Sequence, residues 1–427
     1  MADGELRGNA SEGENASAGV DDEVGTNDGG SRTLTGLDDG FEGWPWWVKV
    51  IVVFGAARLI TTTMLLVLSF IVGPDSRAGS SPDFFTFSAL WDGVWYWYIS
   101  ATGYPSVLPV DTSGYVTENQ WAFLPAYPFL VLGISSLTHV WWPIAAFFVS
   151  LGFGFGTALL LYRLFRDFLD ERQALFAITL FSVAPLSFIL QMAYAESMSL
   201  FLLTLALLLY RRRRYEWMFP VVLVLAITRP LALALALALL LNWIYRFVRR
   251  NSVEFPRRDR IVGAAIAIFA GLAGLAWPVA AWVVTGSISA YTDTEIAWRT
   301  GWVGHAHLSL FSAWFESARY WFGWPLGAVV VVVIVAGFAA ILFSPAVRRI
   351  GIDLRIWCAS YAAYLFAVFF PQSSIFRLLM PMFPLFGALA IPRSKTYRAI
   401  LIAVSLILQG LWLWITWGPY QSFWTVP

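Results

Sequence analysis

Residues 141–162 read WWPIAAFFVSLGFGFGTALLLY and contain no charged side chain. A helix that crosses a membrane needs about 20 consecutive apolar residues. Similar uncharged blocks cover residues 173–195, 261–292, 320–347 and 399–427. Of the 427 residues 59% are hydrophobic and 13% are charged, whereas soluble domains carry about 25% charged residues. The sequence therefore predicts an all-α polytopic membrane protein and excludes a soluble globular domain.

The formal net charge of +1 is the sum of two very different segments. Residues 1–42 contain eleven acidic and two basic residues among Gly, Ser, Asn and Ala. Such a composition cannot bury a core, so we predict a disordered acidic arm. Residues 43–427 carry a net charge of +10 and form the predicted transmembrane catalytic domain.

The basic residues predict the topology, because Lys and Arg near helix ends favour the cytoplasmic side. Nineteen of the 28 basic residues lie in five clusters between the apolar blocks, at 163–172, 211–214, 246–260, 348–355 and 393–398. With all five clusters inside, the N-terminus is cytoplasmic and about eleven helices cross the membrane. The expected spans are 46–72, 141–162, 173–190, 194–210, 217–228, 231–245, 261–285, 324–345, 356–371, 378–392 and 399–417.

Two extracytoplasmic loops follow from this topology. The first, 73–140, is long and is expected to carry interfacial helices, with 121–138 lying in or dipping into the outer face. The second covers 286–320. Spans 217–228 and 231–245 are too short for ordinary crossings, so we expect a hairpin whose tip holds Arg229. Short or broken helices at membrane depth usually line a cavity.

The first outer loop contains FFTFSALWDGVWYWYISATGY at 84–104, with nine aromatic residues and one charge, Asp92. Aromatic residues at this density are typical of a helix in the headgroup layer. Asp92 could simply cap a helix or face water. Held among aromatic side chains, its carboxylate would instead be partly desolvated and could act as a general base.

Several segments together resemble one family of membrane enzymes. These segments are Trp91-Asp92, Ile99, Gly103-Tyr104, Glu118, AFLPAYP at 122–128, AYAES at 193–197, Thr228-Arg229-Pro230 and FRLLMP at 376–381. Their order resembles the pattern of the PIG-V mannosyltransferases, which belong to the GT-C superfamily of polytopic glycosyltransferases. The resemblance covers about residues 50–390 and excludes the acidic arm.

The resemblance implies an inverting mannosyltransferase that uses polyprenyl-phosphate-mannose on the extracytoplasmic face. Asp92 would be the general base that deprotonates the acceptor. A phosphate is best held by Arg, and Arg229 and Arg377 both fall at outer helix ends. The predicted donor-binding residues are Arg229, Arg377, Tyr194 and Glu196. Either arginine could instead only pair with Glu196, and Arg58 could pair inside the bundle.

The predicted acceptor-binding residues are Glu118, Tyr104, His305 and His307. No metal is expected, because the donor has a single phosphate and Asp293-Thr294-Glu295 is a weak metal-site match. No other cofactor is expected. The expected partners are a lipid-linked sugar donor, a glycolipid or glycan acceptor and membrane lipids, without nucleic acid.

Two alternatives remain open at this level. A GT-C enzyme could use another polyprenyl-phosphate sugar, since no residue here distinguishes mannose. A lipid or solute transporter would also have many spans with broken helices. Against a transporter, the sequence shows no matching halves, and its polar candidates gather on one face. The 26 Arg against 2 Lys suggest a GC-rich genome, which favours a bacterial plasma membrane.

Overall fold

The computed structural model describes residues 43–305 and 308–419. Regular structure in this part of the chain is entirely helical, apart from one isolated antiparallel bridge between Val110 and Val116. The all-α prediction is therefore confirmed for the described residues. The predicted acidic arm, 1–42, and His307 lie outside them.

Within the described part of the chain, five helices are long and apolar enough to cross a membrane, which confirms a multi-pass membrane protein. They are α1 (Trp46–Ile71), α5 (Trp142–Phe165), α10 (Arg257–Thr285), α14 (Leu326–Phe343) and α19 (Lys395–Trp417). The other expected spans fall on shorter helices, so the count of eleven stays a prediction.

The shorter helices lie between these five and include the outer-loop elements. They are α2 (Phe84–Ser88), α3 (Asp92–Thr102), α4 (Ala126–Thr138), α6 (Glu171–Val183), α7 (Glu196–Arg211), α8 (Met218–Ala226), α9 (Ala232–Val248), α11 (Ala290–Ala297), α12 (Thr300–Val303), α13 (Ala313–Phe322), α15 (Pro345–Arg348), α16 (Ile352–Val368), α17 (Ile375–Leu378) and α18 (Pro384–Leu389). Helix α4 has 13 residues and is about 20 Å long, shorter than a hydrocarbon layer of about 30 Å.

Two expected spans are wrong as continuous helices, and proline explains both. The expected helix 173–190 ends at Val183, just before Pro185, and residues 187–191 form a 3-10 turn. The expected helix 378–392 is divided into a 3-10 turn and α18 at Pro381 and Pro384. Proline lacks the backbone N–H of a helix interior and disfavours helical geometry in the residue before it.

Close helix packing at α5 follows from its alternating glycines. A Cβ atom on Gly154 would lie 2.9 Å from the Phe54 ring and 3.2 Å from the Leu190 carbonyl oxygen. On Gly156 it would lie 2.8 Å from the Phe201 ring. These contacts bring α1, α7 and the irregular segment before α7 against α5, as small residues do between membrane helices.

The basic clusters meet at one end of the helix bundle, which we call the basic end. Arg211 contacts Asp167 at 2.9 Å and Asp353 at 2.7 Å, joining the ends of three helices. Arg213 contacts Glu254 at 3.2 Å. Further ion pairs there are Arg258–Glu216, Arg393–Asp170 and Lys49–Glu171. The opposite end, where α7 begins and the α8–α9 hairpin turns, holds the site described next.

Candidate active site

Asp92 is the first residue of α3, and the backbone before it is unusual. Trp91 has φ 60° and ψ −117°, a conformation rare for a residue with a side chain. Its buried indole holds this position by donating from Nε1 to the Thr416 carbonyl oxygen at 3.1 Å. Strained backbone that the surroundings hold in place often occurs at functional sites.

Gly93 lets the start of α3 approach the segment that precedes α7. A Cβ atom at Gly93 would lie 3.3 Å from the Ala193 Cβ and 3.4 Å from its carbonyl oxygen. The Ala193 amide donates to the Ser88 carbonyl oxygen at 3.2 Å. This contact places Asp92 beside the Tyr194-Ala195-Glu196 segment, about 100 residues later in the chain.

Four charged side chains from separate segments form one alternating chain of ion pairs. Nη1 of Arg377 lies 2.5 Å from Oδ2 of Asp92, and its Nε lies 3.2 Å from Oε1 of Glu196. Nη2 of Arg229 lies 2.9 Å from the same Glu196 oxygen. We call Asp92, Arg377, Glu196 and Arg229 the ion-pair chain.

The ion-pair chain is buried and balanced in charge. Between 5% and 14% of each of its side chains is exposed. Burying charges is costly unless they are paired, and here two cations face two carboxylates. Within the described residues, however, both Glu196 oxygens and Nε of Arg377 are buried without a well-aligned hydrogen bond. The ion-pair chain is thus neutral, and the contacts to Glu196 are ion pairs without the alignment of a hydrogen bond.

The remaining donor candidate, Tyr194, lies under the same guanidinium. The Arg377 guanidinium carbon is 5.3 Å from the centre of the buried Tyr194 ring.

Burial raises the pKa of Asp92, Glu196 raises it further, and Arg377 and Arg229 oppose the shift. A carboxyl with a raised pKa is a stronger base than an ordinary Asp.

Tyr104, Glu118 and His305, the predicted acceptor residues within the described part of the chain, make their contacts outside the ion-pair chain. The Tyr104 hydroxyl donates to the Phe123 carbonyl oxygen at 2.9 Å. The His305 ring stacks on Tyr115 with centroids 3.8 Å apart.

His305 and Glu118 each interact with one charged residue of the first outer loop. Nε2 of His305 lies 3.3 Å from Oδ2 of Asp111. Burial raises the pKa of Glu118, and the charge it faces is Arg77. These acceptor assignments therefore stay predictions that the geometry does not support.

One carboxylate that was not predicted as a site residue faces the ion-pair chain: Glu295 on α11, which the sequence offers only within a weak metal-site match. Burial raises its pKa to about 7, Tyr291 and Arg229 oppose that shift, and Asp92 adds to it. The sequence signal was the spacing of Tyr291, Glu295 and Trp298, which puts them on one face of a helix. Within residues 43–305 and 308–419, no three His, Cys, Asp or Glu side chains group as metal ligands do.

An apolar groove of about 700 Å³ is lined by Ile375 and Phe376, the two residues that precede Arg377 in the chain. Side chains of α6, α14, α16 and α18 form its other walls. Ile334, Leu379 and Leu389 are exposed, so the groove opens on the bundle surface.

Comparisons with protein-family models return no match, and comparisons with curated proteins return none either. Solved structures similar to the chain include those of the Archaeoglobus fulgidus oligosaccharyltransferase AglB. With an acceptor peptide tethered, identity is 14% and the TM-score 0.46, over 87% of this chain and 55% of that one. The complex with an inhibitory peptide and a dolichol-phosphate gives 14% and 0.44, over 86% and 56%. The chain thus spans about half the length of these proteins.

Proposed function

We propose that the protein is a membrane glycosyltransferase. It would move a sugar, with mannose as the first choice, from a polyprenyl-phosphate donor to a hydroxyl acceptor on the extracytoplasmic face. The observation that carries this proposal is the ion-pair chain, which combines a desolvated carboxylate with two arginines at the end opposite the basic clusters. Inversion and the choice of mannose come from the PIG-V resemblance.

In the proposed reaction the acceptor oxygen attacks the anomeric carbon while its proton passes to Asp92. Arg377 contacts Oδ2, so Oδ1 is the oxygen assigned to take the proton. The bond between the anomeric carbon and the phosphate oxygen breaks, and its electron pair leaves with the polyprenyl phosphate. The leaving phosphate gains one negative charge, which cations placed nearby stabilise.

Arg229 and Arg377 would supply those cations. Each guanidinium has five N–H donors, and the ion pairs engage Nη2 of Arg229 and Nη1 and Nε of Arg377. Both can therefore also bind phosphate oxygens, for which the planar guanidinium is well suited. Since Glu196 contacts both arginines without aligned hydrogen bonds, an arriving phosphate would compete with it for both guanidinium groups.

The apolar groove beside Arg377 offers a place for the prenyl tail. Its walls are almost entirely apolar and it opens on the bundle surface. A prenyl chain attached to a phosphate at Arg377 would lie against these apolar walls as it lies among lipid chains in the bilayer.

The test is transfer by the full-length protein in lipid nanodiscs, using purified polyprenyl-phosphate-mannose and a panel of glycoside acceptors. Polyprenyl-phosphate-glucose and GDP-mannose serve as matched donors, and the anomeric configuration of the product is read by NMR. We expect transfer from polyprenyl-phosphate-mannose only, with inversion at the anomeric carbon. Transfer from GDP-mannose alone, or retention of configuration, would contradict the proposal.

A further inference from the structure

Helix α11 in the second outer loop presents one face to the candidate active site. Tyr291, Glu295 and Trp298 are spaced i, i+4 and i+7, so they share a side of the helix. The Trp298 ring meets Trp95 edge to face, with centroids 5.5 Å apart. Trp95 follows Asp92 by one turn of α3. The face of α11 that carries Glu295 is thus joined to the helix that carries Asp92.

Contacts between the two outer loops fix this arrangement. Nδ2 of Asn119 donates to Oγ1 of Thr294 at 2.9 Å, and both residues are buried. Nε1 of Trp277, near the end of α10, donates to the Trp121 carbonyl oxygen at 3.0 Å. Because Thr294 immediately precedes Glu295, these hydrogen bonds determine where the carboxylate lies.

Glu295 keeps part of its surface open to solvent. The surrounding protein nevertheless desolvates its carboxylate enough to raise the pKa to about 7. The charged groups that face it are Arg229 from the hairpin tip and Asp92 from α3. The hydroxyl groups that face it belong to Tyr291 on α11 and Tyr364 on α16.

We infer that Glu295 and Trp298 form the acceptor subsite and bind a neutral glycoside. A carboxylate accepts hydrogen bonds from two neighbouring sugar hydroxyls, and an aromatic ring packs against the apolar C–H face of a sugar. A phosphorylated acceptor is disfavoured, because Arg229, the cation that faces Glu295, is assigned to the donor phosphate and the other charges there, Glu295 and Asp92, are negative. This inference rests on the proposed function, since the acceptor must present a hydroxyl to Asp92.

The test is equilibrium binding of radiolabelled octyl α-D-mannoside to the full-length protein in nanodiscs, without donor. At pH 8, Glu295→Gln should weaken binding about tenfold, because an ionised acceptor is replaced by an amide. Glu295→Asp, which keeps the charge on a shorter side chain, should give an intermediate affinity. Asp293→Asn is the matched control, because Asp293 lies on the same helix and accepts from Ser289 Oγ at 2.6 Å.

A pH series provides a second readout. Protonation removes the charge that accepts the sugar hydroxyls, so wild-type affinity should fall as the pH drops through about 7, while Glu295→Gln should stay flat.

Equal affinity of wild type and Glu295→Gln, or no binding of the probe to wild type, would overturn the subsite. Because no donor is present, these results are independent of the donor assay. Binding that depends on Glu295 together with no transfer from polyprenyl-phosphate-mannose would support the subsite and contradict the proposed function.

Discussion

Two regions of the bundle bury arginine side chains, and they do so differently. Arg58 in α1 donates through Nη1 and Nη2 to the carbonyl oxygens of Ser187 and Ser182, and at 3.0 Å to the Ser187 hydroxyl. Arg377 and Arg229 instead share the Glu196 carboxylate, without aligned hydrogen bonds to it. The partners of Arg58 are two backbone carbonyl oxygens and the Ser187 hydroxyl, in the last turn of α6 and in the segment that follows it. The partners of Arg377 and Arg229 are carboxylate side chains.

A buried arginine in a membrane protein is a functional candidate by default, and this comparison shows how its partners refine that expectation. Backbone carbonyl oxygens are fixed in place by the fold, so Arg58 stabilises the chain near Pro185, where α6 ends. Nε2 of Gln409 supports the same turn by donating to the Ser187 hydroxyl at 2.7 Å. A phosphate can replace a carboxylate side chain as the partner of an arginine, so Arg377 and Arg229 are suited to binding a phosphate.

The largest effect that separates the two regions is expected at Arg377. Arg377→Lys keeps the charge beside Asp92 but loses the planar fork that binds phosphate oxygens in pairs. We expect kcat/KM for the lipid-linked donor to fall about 100-fold, equivalent to about 2.7 kcal/mol. The unfolding temperature should change little. Arg319→Lys, at an exposed arginine of α13, is the matched control, and equal donor kinetics in both variants would remove Arg377 from the donor site.

Arg58 should show the opposite behaviour. Arg58→Met leaves buried carbonyl oxygens without donors, so the free energy of unfolding should fall by about 2 kcal/mol. The donor KM of the folded fraction should not change. Thermal unfolding in detergent, followed with an activity assay at low temperature, measures both quantities.

Lys49→Met is the control on the same helix. Lys49 pairs with the half-exposed Glu171 at 2.6 Å, and surface ion pairs contribute about 0–1 kcal/mol. A large rise in donor KM for Arg58→Met, with stability retained, would place Arg58 in the donor site and contradict its structural role.

The smallest effect concerns Tyr104, which the sequence suggested for acceptor binding. Its hydroxyl donates to the Phe123 carbonyl oxygen, so Tyr104→Phe should lower the free energy of unfolding by about 1 kcal/mol. We expect no change in acceptor KM, measured with octyl α-D-mannoside as acceptor. An acceptor KM raised several-fold would return Tyr104 to the acceptor site.

The sequence predicted the members of the ion-pair chain but not their arrangement. Asp92, Glu196, Arg229 and Arg377 come from four segments, and motif resemblance together with the split of basic clusters assigned them to one face. Which cation meets which carboxylate depends on tertiary contacts, such as the approach of Gly93 to Ala193. Periodicity and charge counts do not contain that information.

The position of Glu295 near Asp92 was not predicted, for a related reason. Helix α11 has only eight residues and follows a long apolar helix, so its composition indicates an ordinary polar loop. Its approach to Asp92 depends on the Asn119–Thr294 hydrogen bond and on the Trp298–Trp95 contact, both formed between the outer loops.

The central claim is that Asp92 is the general base of a glycosyl transfer, and single-turnover transfer from radiolabelled polyprenyl-phosphate-mannose tests it most directly. Asp92→Asn keeps the shape of the side chain but cannot take the acceptor proton. We expect its rate to fall by about 10²–10⁴, while Asp83→Asn, at the exposed first-loop cap of α2, keeps the wild-type rate. A folded Asp92→Asn protein that transfers at the wild-type rate would contradict the account.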